Sequence, residues 1–338
     1  MKKPLKIVIM LIFVMTLMIT GCQSDVMVEE ETESVPEIEL EVEAEEIQEP
    51  VLVVMASFFP YYDMATHLGG STVEVFQMVP DGADPHSFEP TPRDLIQLES
   101  SDIFLYNGVG FESWVEGVLS MLNGSDALVL SAEDFVTLLQ VTVEDDHDHS
   151  HDHDHEEEDE HLHGPYDPHL WTDPVNMKNI ARHVADAFIQ QAPGSENEFE
   201  ENYQAYAAAM DELDAALKNL SEEAAHHDLL VSHSAFGYLA YRYGFREIAV
   251  TGISPHTEPN PGRLAELTDL ARNLQLEYIF FETLVNPKTA EVLAEEAGLT
   301  PLMLYNVEGV TKEQQQSGAS YVTLMEENIQ TLRKALVK

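Results

Sequence analysis

Short apolar runs alternate with segments of helical periodicity on both sides of one long helical stretch, and this alternation limits the possible folds. Such runs, bounded by turn residues or helical pattern, predict buried strands. They occur at 51–56, 73–78, 102–106 and 127–130, and again at 228–232, 247–250, 278–282 and 301–304. The repeated strand–helix order predicts an α/β protein with two α/β lobes joined by one long helix.

The joining helix is predicted at 174–191, where apolar residues recur three or four positions apart. Asp173 fits its N-cap and Pro174 its first turn, while Pro193 and Gly194 end it. A second helix is predicted over about 197–225. We therefore divide the body of the chain into an N-terminal lobe, a linker helix and a C-terminal lobe, at 51–171, 172–192 and 193–338.

The N-terminal segment predicts export and lipid anchoring. Basic residues precede a short apolar run in residues 1–22, which is the pattern of a secretory signal. The run ends in Ile-Thr-Gly-Cys, which resembles a bacterial lipobox, and Cys22 is the only cysteine in the chain. We expect an extracytoplasmic protein held on a bacterial membrane by a lipid on Cys22; the alternative is an ordinary cleaved signal. Residues 23–50 are acidic and predict a disordered tether.

Negative charge is concentrated in two stretches, 25–49 and 144–160, which together carry half of the formal net charge of −46. The remaining chain is still acidic. Nucleic acid binding depends on Lys and Arg that neutralise phosphates, so this composition excludes a nucleic acid partner.

Histidine and carboxylate groups are concentrated around a doubled Asp-Pro-His motif. It occurs at 84–86 and 167–169, and a tract of alternating His and acidic residues lies within 144–163. Neutral imidazole is a common ligand for transition metals. The tract predicts weak auxiliary metal binding, and the other interpretation is a solvated low-complexity loop. Its histidines are His147, His149, His151, His153, His155, His161 and His163.

Four isolated residues form the predicted principal site: His86, His169, His233 and Glu282. Three of them, His86, His233 and Glu282, follow or end predicted strands, and ligands of open α/β sheets bind beyond the carboxyl ends of strands. Three imidazoles and one carboxylate suit Zn²⁺, whereas Mn²⁺ prefers oxygen-rich sites. Asp84 and Asp167 are expected to orient the histidines that follow them.

Several long segments resemble the zinc- and manganese-binding solute-binding proteins of bacterial ABC transporters, and they appear in the order typical of that family. They cover nearly the whole predicted body. The matching segments are DGADPHSFEPTPRDL (81–95), YNGVGFESW (106–114), DPHLWTDP (167–174), VSHSAFGYLAYRYG (231–244), VTGISPHTEPNPGRLAEL (250–267) and FFETLVNPKTAEVLAEEAG (281–298).

The resemblance implies two α/β lobes linked by one long rigid helix, with the metal in the cleft between the lobes and ligands at the four positions named above. His at the third position, His233, implies zinc rather than manganese, and the His-rich loop is also typical of zinc members. His256 departs from the family pattern, because a small or acidic residue is expected there. The disulfide of some relatives cannot form with one cysteine.

The implied function is high-affinity zinc capture outside the cytoplasm and delivery to an ABC permease, by a monomer that is not an enzyme. A manganese receptor of the same family is the nearest alternative. A zinc-dependent hydrolase, with Glu282 as a base, and an adhesin are alternatives of other classes. The sequence lacks the HExxH helix that is typical of many zinc hydrolases.

Overall fold

The computed structural model describes residues 52–141, 166–257, 259–284 and 288–338. The predicted signal segment with Cys22, the acidic tether and the His-rich tract lie outside these residues. Within the described ranges, no helix is long and apolar enough to cross a membrane.

The first lobe is built on a four-stranded parallel sheet with strand order β2-β1-β3-β4. Helices cover it because strands of a parallel sheet are joined by crossovers. Its strands are β1 Leu52–Ala56, β2 Val73–Gln77, β3 Ile103–Tyr106 and β4 Leu128–Ser131. Its helices are α1 Phe59–Gly69, α2 Pro92–Glu99 and α3 Val115–Leu122.

The second lobe repeats this topology, with a parallel sheet in the order β6-β5-β7-β8. Its strands are β5 Asp228–His233, β6 Arg246–Thr251, β7 Tyr278–Phe281 and β8 Thr300–Met303. Its helices are α6 Gly237–Tyr243, α7 Pro261–Asn273, α8 Lys288–Ala297, α9 Lys312–Gln316 and α10 Tyr321–Leu336. All eight predicted strands are therefore confirmed, and each observed end lies within one residue of the predicted end.

Two long helices lie between the lobes in the chain, α4 Pro174–Gln191 and α5 Glu196–Glu223. Helix α4 begins where predicted, because the Asp173 side chain accepts a hydrogen bond from the Val175 amide. The linker helix is consistent with α5, which contacts α1 of the first lobe and α6 and α10 of the second. The range 172–192 was predicted for that role, but it holds α4, which packs mainly on α5 and α1.

One hydrophobic core continues from the first sheet through α4 and α5 into the second lobe. Trp171 and Tyr321 are among its largest fully buried side chains. The Tyr321 hydroxyl donates to the Trp171 carbonyl oxygen at 2.7 Å, and the Trp171 indole donates to the Asn306 carbonyl oxygen at 2.7 Å. The lobes are thus packed against each other, and the loops at the carboxyl ends of both sheets meet there.

Candidate metal centre

His86 lies in the loop that follows β2 in the first lobe. Its backbone amide donates to Asp84 Oδ1 at 2.8 Å, which closes a local turn through the aspartate side chain. The same loop is tied to the second lobe, because the Gly82 amide donates to the Val310 carbonyl oxygen at 2.8 Å. The ring of His86 is nearly buried, with 3% of its side chain exposed.

His169 is fully buried just before α4, and Asp167 fixes its orientation. Asp167 Oδ1 accepts the His169 amide at 2.9 Å and lies 2.8 Å from the ring atom Nδ1. This contact directs the opposite ring nitrogen, Nε2, away from the carboxylate, as is usual for metal-binding histidines. Asn107 supports the same loop by donating to the Pro168 carbonyl oxygen at 2.8 Å. Gly237 allows the close approach of Asp167, since a β-carbon there would lie 2.3 Å from Oδ2.

His233 ends the central strand β5 and is also fully buried. Its Nδ1 atom lies 2.7 Å from the carboxylate of Glu282, which immediately follows β7. Glu282 is held in turn by Ser232 Oγ and by Asn306 Nδ2, which donates at 2.7 Å. The Glu282 carboxylate therefore lies behind the imidazole, and Nε2 of His233 faces the opposite side.

The three imidazoles converge on one point. Ring centroids lie 5.6 Å apart for His86 and His169, 5.7 Å for His86 and His233, and 5.3 Å for His169 and His233. One nitrogen of each ring lies within 4.8 Å of the others. A single ion at about 2.0–2.1 Å from each nitrogen can contact all three after small side-chain movements.

Glu308 is the carboxylate that faces this group. It is 1% exposed, and its Oε2 atom lies 3.2 Å from Nε2 of His86. Burial by itself raises the pKa of Glu308, but the nearby imidazoles of His86, His233 and His169 lower it to about 2. A buried, ionised carboxylate is thus available to a cation at this point.

The carboxylate next to the imidazole group is Glu308, and not the strand-end residue Glu282 that the sequence indicated. The sequence prediction named Glu282, which directly ends a predicted strand; the structure brings together the three histidines and places Glu282 behind His233. Glu308 lies five residues after β8, also beyond a carboxyl end. The signal that could have found it is the same strand-end rule extended into a longer loop.

Burial and charge act in opposite directions on His233. Burial lowers its pKa, but the charge of Glu282 and its hydrogen bond, followed by the charges of Glu308 and Glu247, raise it to about 9. Aromatic rings surround the group, with Phe111 at 4.8 Å from His86 and Trp171 at 5.3 Å from His169, between centroids. The site is thus buried, bordered by aromatic rings and negatively charged behind its imidazoles, which favours a cation over a neutral ligand.

Comparisons with known proteins agree with this arrangement. Residues 54–335 match the ZnuA family, described as "Zinc-uptake complex component A periplasmic". The chain is 31% identical over 286 residues to the high-affinity zinc uptake system protein ZnuA of Bacillus subtilis, covering 85% of this chain and 88% of that one. It is also 31% identical over 285 residues to the zinc-binding lipoprotein AdcA of Streptococcus pneumoniae, covering 84% of this chain. It spans about half of AdcA, 55% of its length.

A solved structure shows the same fold. The Zn(II)-bound ZnuA-like domain of Streptococcus pneumoniae AdcA superimposes with a TM-score of 0.70 at 28% identity. The match covers 85% of this chain and 99% of that domain. The two-lobed architecture predicted from the sequence is therefore confirmed. With the family match over most of its length, the chain belongs to the ZnuA family of periplasmic zinc-uptake components.

Proposed function

We propose that this protein is an extracytoplasmic receptor that binds one Zn²⁺ ion and delivers it to an ABC permease for import. The observation that carries the proposal is the convergence of three buried imidazoles, with the buried carboxylate of Glu308 3.2 Å from His86 Nε2. The names of the relatives, a zinc uptake protein and a zinc-binding lipoprotein, support the same function.

We assign zinc to the Nε2 atoms of His86, His169 and His233 and to the Glu308 carboxylate. Asp167 and Glu282 hold the opposite nitrogens of two of these rings, so the ligands are oriented before the ion arrives. Glu282, predicted as the fourth ligand, is proposed to act through His233 instead. Four ligands of this kind complete a tetrahedral zinc shell.

The ligand types also support zinc over manganese. Imidazole nitrogen suits zinc, whereas manganese is favoured by shells rich in carboxylate, carbonyl and water oxygen. His233 supplies nitrogen at a position where the resembling manganese receptors carry a carboxylate. We therefore propose zinc as the cargo, with manganese as the weaker competitor.

Binding rather than catalysis is the chemistry that this site supports. A catalytic zinc site keeps one coordination position open for water. Here the Glu308 carboxylate already faces the imidazoles, at 3.2 Å from His86. We propose that capture ends with a filled shell, and that release follows when docking on the permease distorts it.

The proposal extends to segments outside the described residues. We propose that Cys22 carries the lipid, that residues 23–50 act as the tether, and that the histidines of 147–163 bind zinc weakly. We also propose that the N-terminal lobe ends at 171 and that the protein is a monomer.

Metal analysis tests the function directly. Protein purified without chelators should contain about one equivalent of zinc after its weak sites are washed with dilute citrate. In competition, zinc should displace manganese from the tight site. Protein that retains manganese in preference to zinc would contradict the proposed cargo, and protein with no tight metal would contradict the receptor function.

A further inference from the structure

His256, the residue that departs from the family pattern, lies in the loop between β6 and α7 and reaches the first lobe. Its Nε2 atom is 2.7 Å from Oδ2 of Asp84. The other oxygen of that carboxylate, Oδ1, accepts the backbone amide of His86 at 2.8 Å. One carboxylate therefore connects a loop of the second lobe to the backbone of a metal ligand in the first lobe.

Two further contacts hold the loop that carries His86 against the second lobe. Gly82 donates to the Val310 carbonyl oxygen at 2.8 Å, and His86 lies 3.2 Å from Glu308. An ion that takes His86 and Glu308 as ligands will bridge them itself. The loop is then held by the ion, by the Gly82 hydrogen bond and by His256.

The His256 contact is made between side chains that reach the surface. The His256 side chain is 56% exposed, and that of Asp84 is 19% exposed. His256 is not among the converging nitrogens of the metal group. Replacing His256 therefore leaves the ligand set intact and removes only the contact between His256 and Asp84, which joins the two loops.

We propose that His256 is a positioning residue that slows the release of bound zinc by holding Asp84, and through it the His86 loop, against the second lobe. This inference rests on the proposed function, because a release rate exists only for a bound ion. The contact must break before the ion leaves, so its removal accelerates dissociation. Mutations that change binding affinity mostly change the dissociation rate.

The experiment measures zinc release from protein loaded with one equivalent, so that the tight site fills first. Release into excess chromogenic chelator gives the dissociation rate constant, and Trp fluorescence in stopped flow gives the association rate constant. The variants are His256→Ala and His256→Gln, whose amide N–H can still donate to Asp84. The matched control is His67→Ala, which removes a 52% exposed histidine paired with Asp63.

His256→Ala should raise the dissociation rate constant about three- to tenfold, the effect of one exposed hydrogen bond to a charged group. The association rate constant and the melting temperature of the metal-free protein should stay unchanged. His256→Gln should restore most of the slow release, and His67→Ala should release zinc like the wild type.

An unchanged dissociation rate in His256→Ala would overturn the inference. An equal acceleration by His67→Ala would also overturn it. So would slower association with unchanged dissociation in His256→Ala, because His256 would then act as a transient zinc ligand during binding. Failure of the proposed function itself would be visible earlier, in a wild-type protein that holds no zinc in the tight site.

Discussion

The Nδ1 atom of His233 lies 2.7 Å from the carboxylate of Glu282, and this contact makes the opposite nitrogen, Nε2, the atom that faces the metal group. The two residues come from adjacent strands, β5 and β7, at the point where the strand order of the second sheet reverses. We therefore propose that Glu282 orients the His233 ligand, and that a different carboxylate, Glu308, binds the ion.

The first prediction separates these two carboxylates. Glu308→Gln should weaken zinc binding about a hundredfold or more, because it removes a charged ligand. Glu282→Gln should weaken it about 10- to 100-fold, the range for residues that orient ligands. Isothermal titration with a competing chelator measures both, and the exposed Glu313→Gln serves as the control. A larger loss in Glu282→Gln than in Glu308→Gln would reverse the assignment.

The second prediction compares the principal site with the His-rich tract. His233→Ala should reduce zinc affinity at the tight site by about a hundredfold or more, since it removes a ligand and leaves Glu282 buried without its imidazole. Deletion of 147–163 should leave the tight site intact and remove only weak binding. Loss of the tight site in the deletion, with retention in His233→Ala, would show that the ligands lie in the tract.

The third prediction concerns Asn306, which connects three parts of the site. Its Nδ2 donates to Glu282 at 2.7 Å, its Oδ1 accepts the Glu308 amide at 3.3 Å, and its carbonyl oxygen accepts the Trp171 indole. Asn306→Asp replaces the donor by an acceptor beside Glu282, and it should lower zinc affinity about tenfold or more.

The measurement for Asn306 pairs affinity with the absorption bands of Co²⁺-loaded protein, which report ligand geometry. Asn202→Asp is the control, because it adds the same charge next to the Leu68 carbonyl oxygen in the first lobe. Altered cobalt bands are expected in Asn306→Asp alone. Wild-type bands and affinity in that variant would show that Asn306 only fills space.

The fourth prediction concerns the pH dependence of stability. Burial raises the pKa of Glu112 to about 7, although the backbone amides of Asn107 and Gly108 donate hydrogen bonds that lower it. The folded chain therefore holds this proton more tightly than the unfolded chain does. The resulting stabilisation is complete below pH 4.5 and is lost as the pH rises to about 7.

Ionisation of Glu112 should lower the free energy of unfolding by about 3 kcal/mol as the pH rises from 4.5 to about 7. This value follows from about 1.4 kcal/mol per unit of pKa shift. Urea unfolding of metal-free protein at several pH values measures the effect. Glu112→Gln should lack this part of the decline, while the exposed Glu99→Gln should retain it. Identical pH profiles for Glu112→Gln and the wild type would contradict a raised pKa.

Much of the fold was predictable because strands and helices carry local signals. Short apolar runs between helical segments predicted all eight strands. The Asp173-Pro174 pair predicted the start of α4 at the observed residue. The connecting role of α5 was not predictable in the same way. Helical periodicity shows which face is buried, but it does not show which neighbours bury it, and α5 contacts elements from distant parts of the chain.

The candidate site shows the same division. His86, His169 and His233 could be predicted because each stands next to a recognisable motif or strand end, and the structure brings them together. The roles of Glu282 and Glu308 could not be distinguished, because both follow strands of the second sheet. Only the three-dimensional arrangement shows that one carboxylate lies behind an imidazole and the other in front.

A crystal structure of the zinc-loaded protein, with anomalous data at the zinc edge, tests the central claim most directly. We predict one strong anomalous peak at about 2.0–2.2 Å from Nε2 of His86, His169 and His233 and from a carboxylate oxygen of Glu308, with Glu282 still bonded to His233 Nδ1. A peak coordinated by Glu282 in place of Glu308, or one that lacks any of the three histidines, would contradict the account.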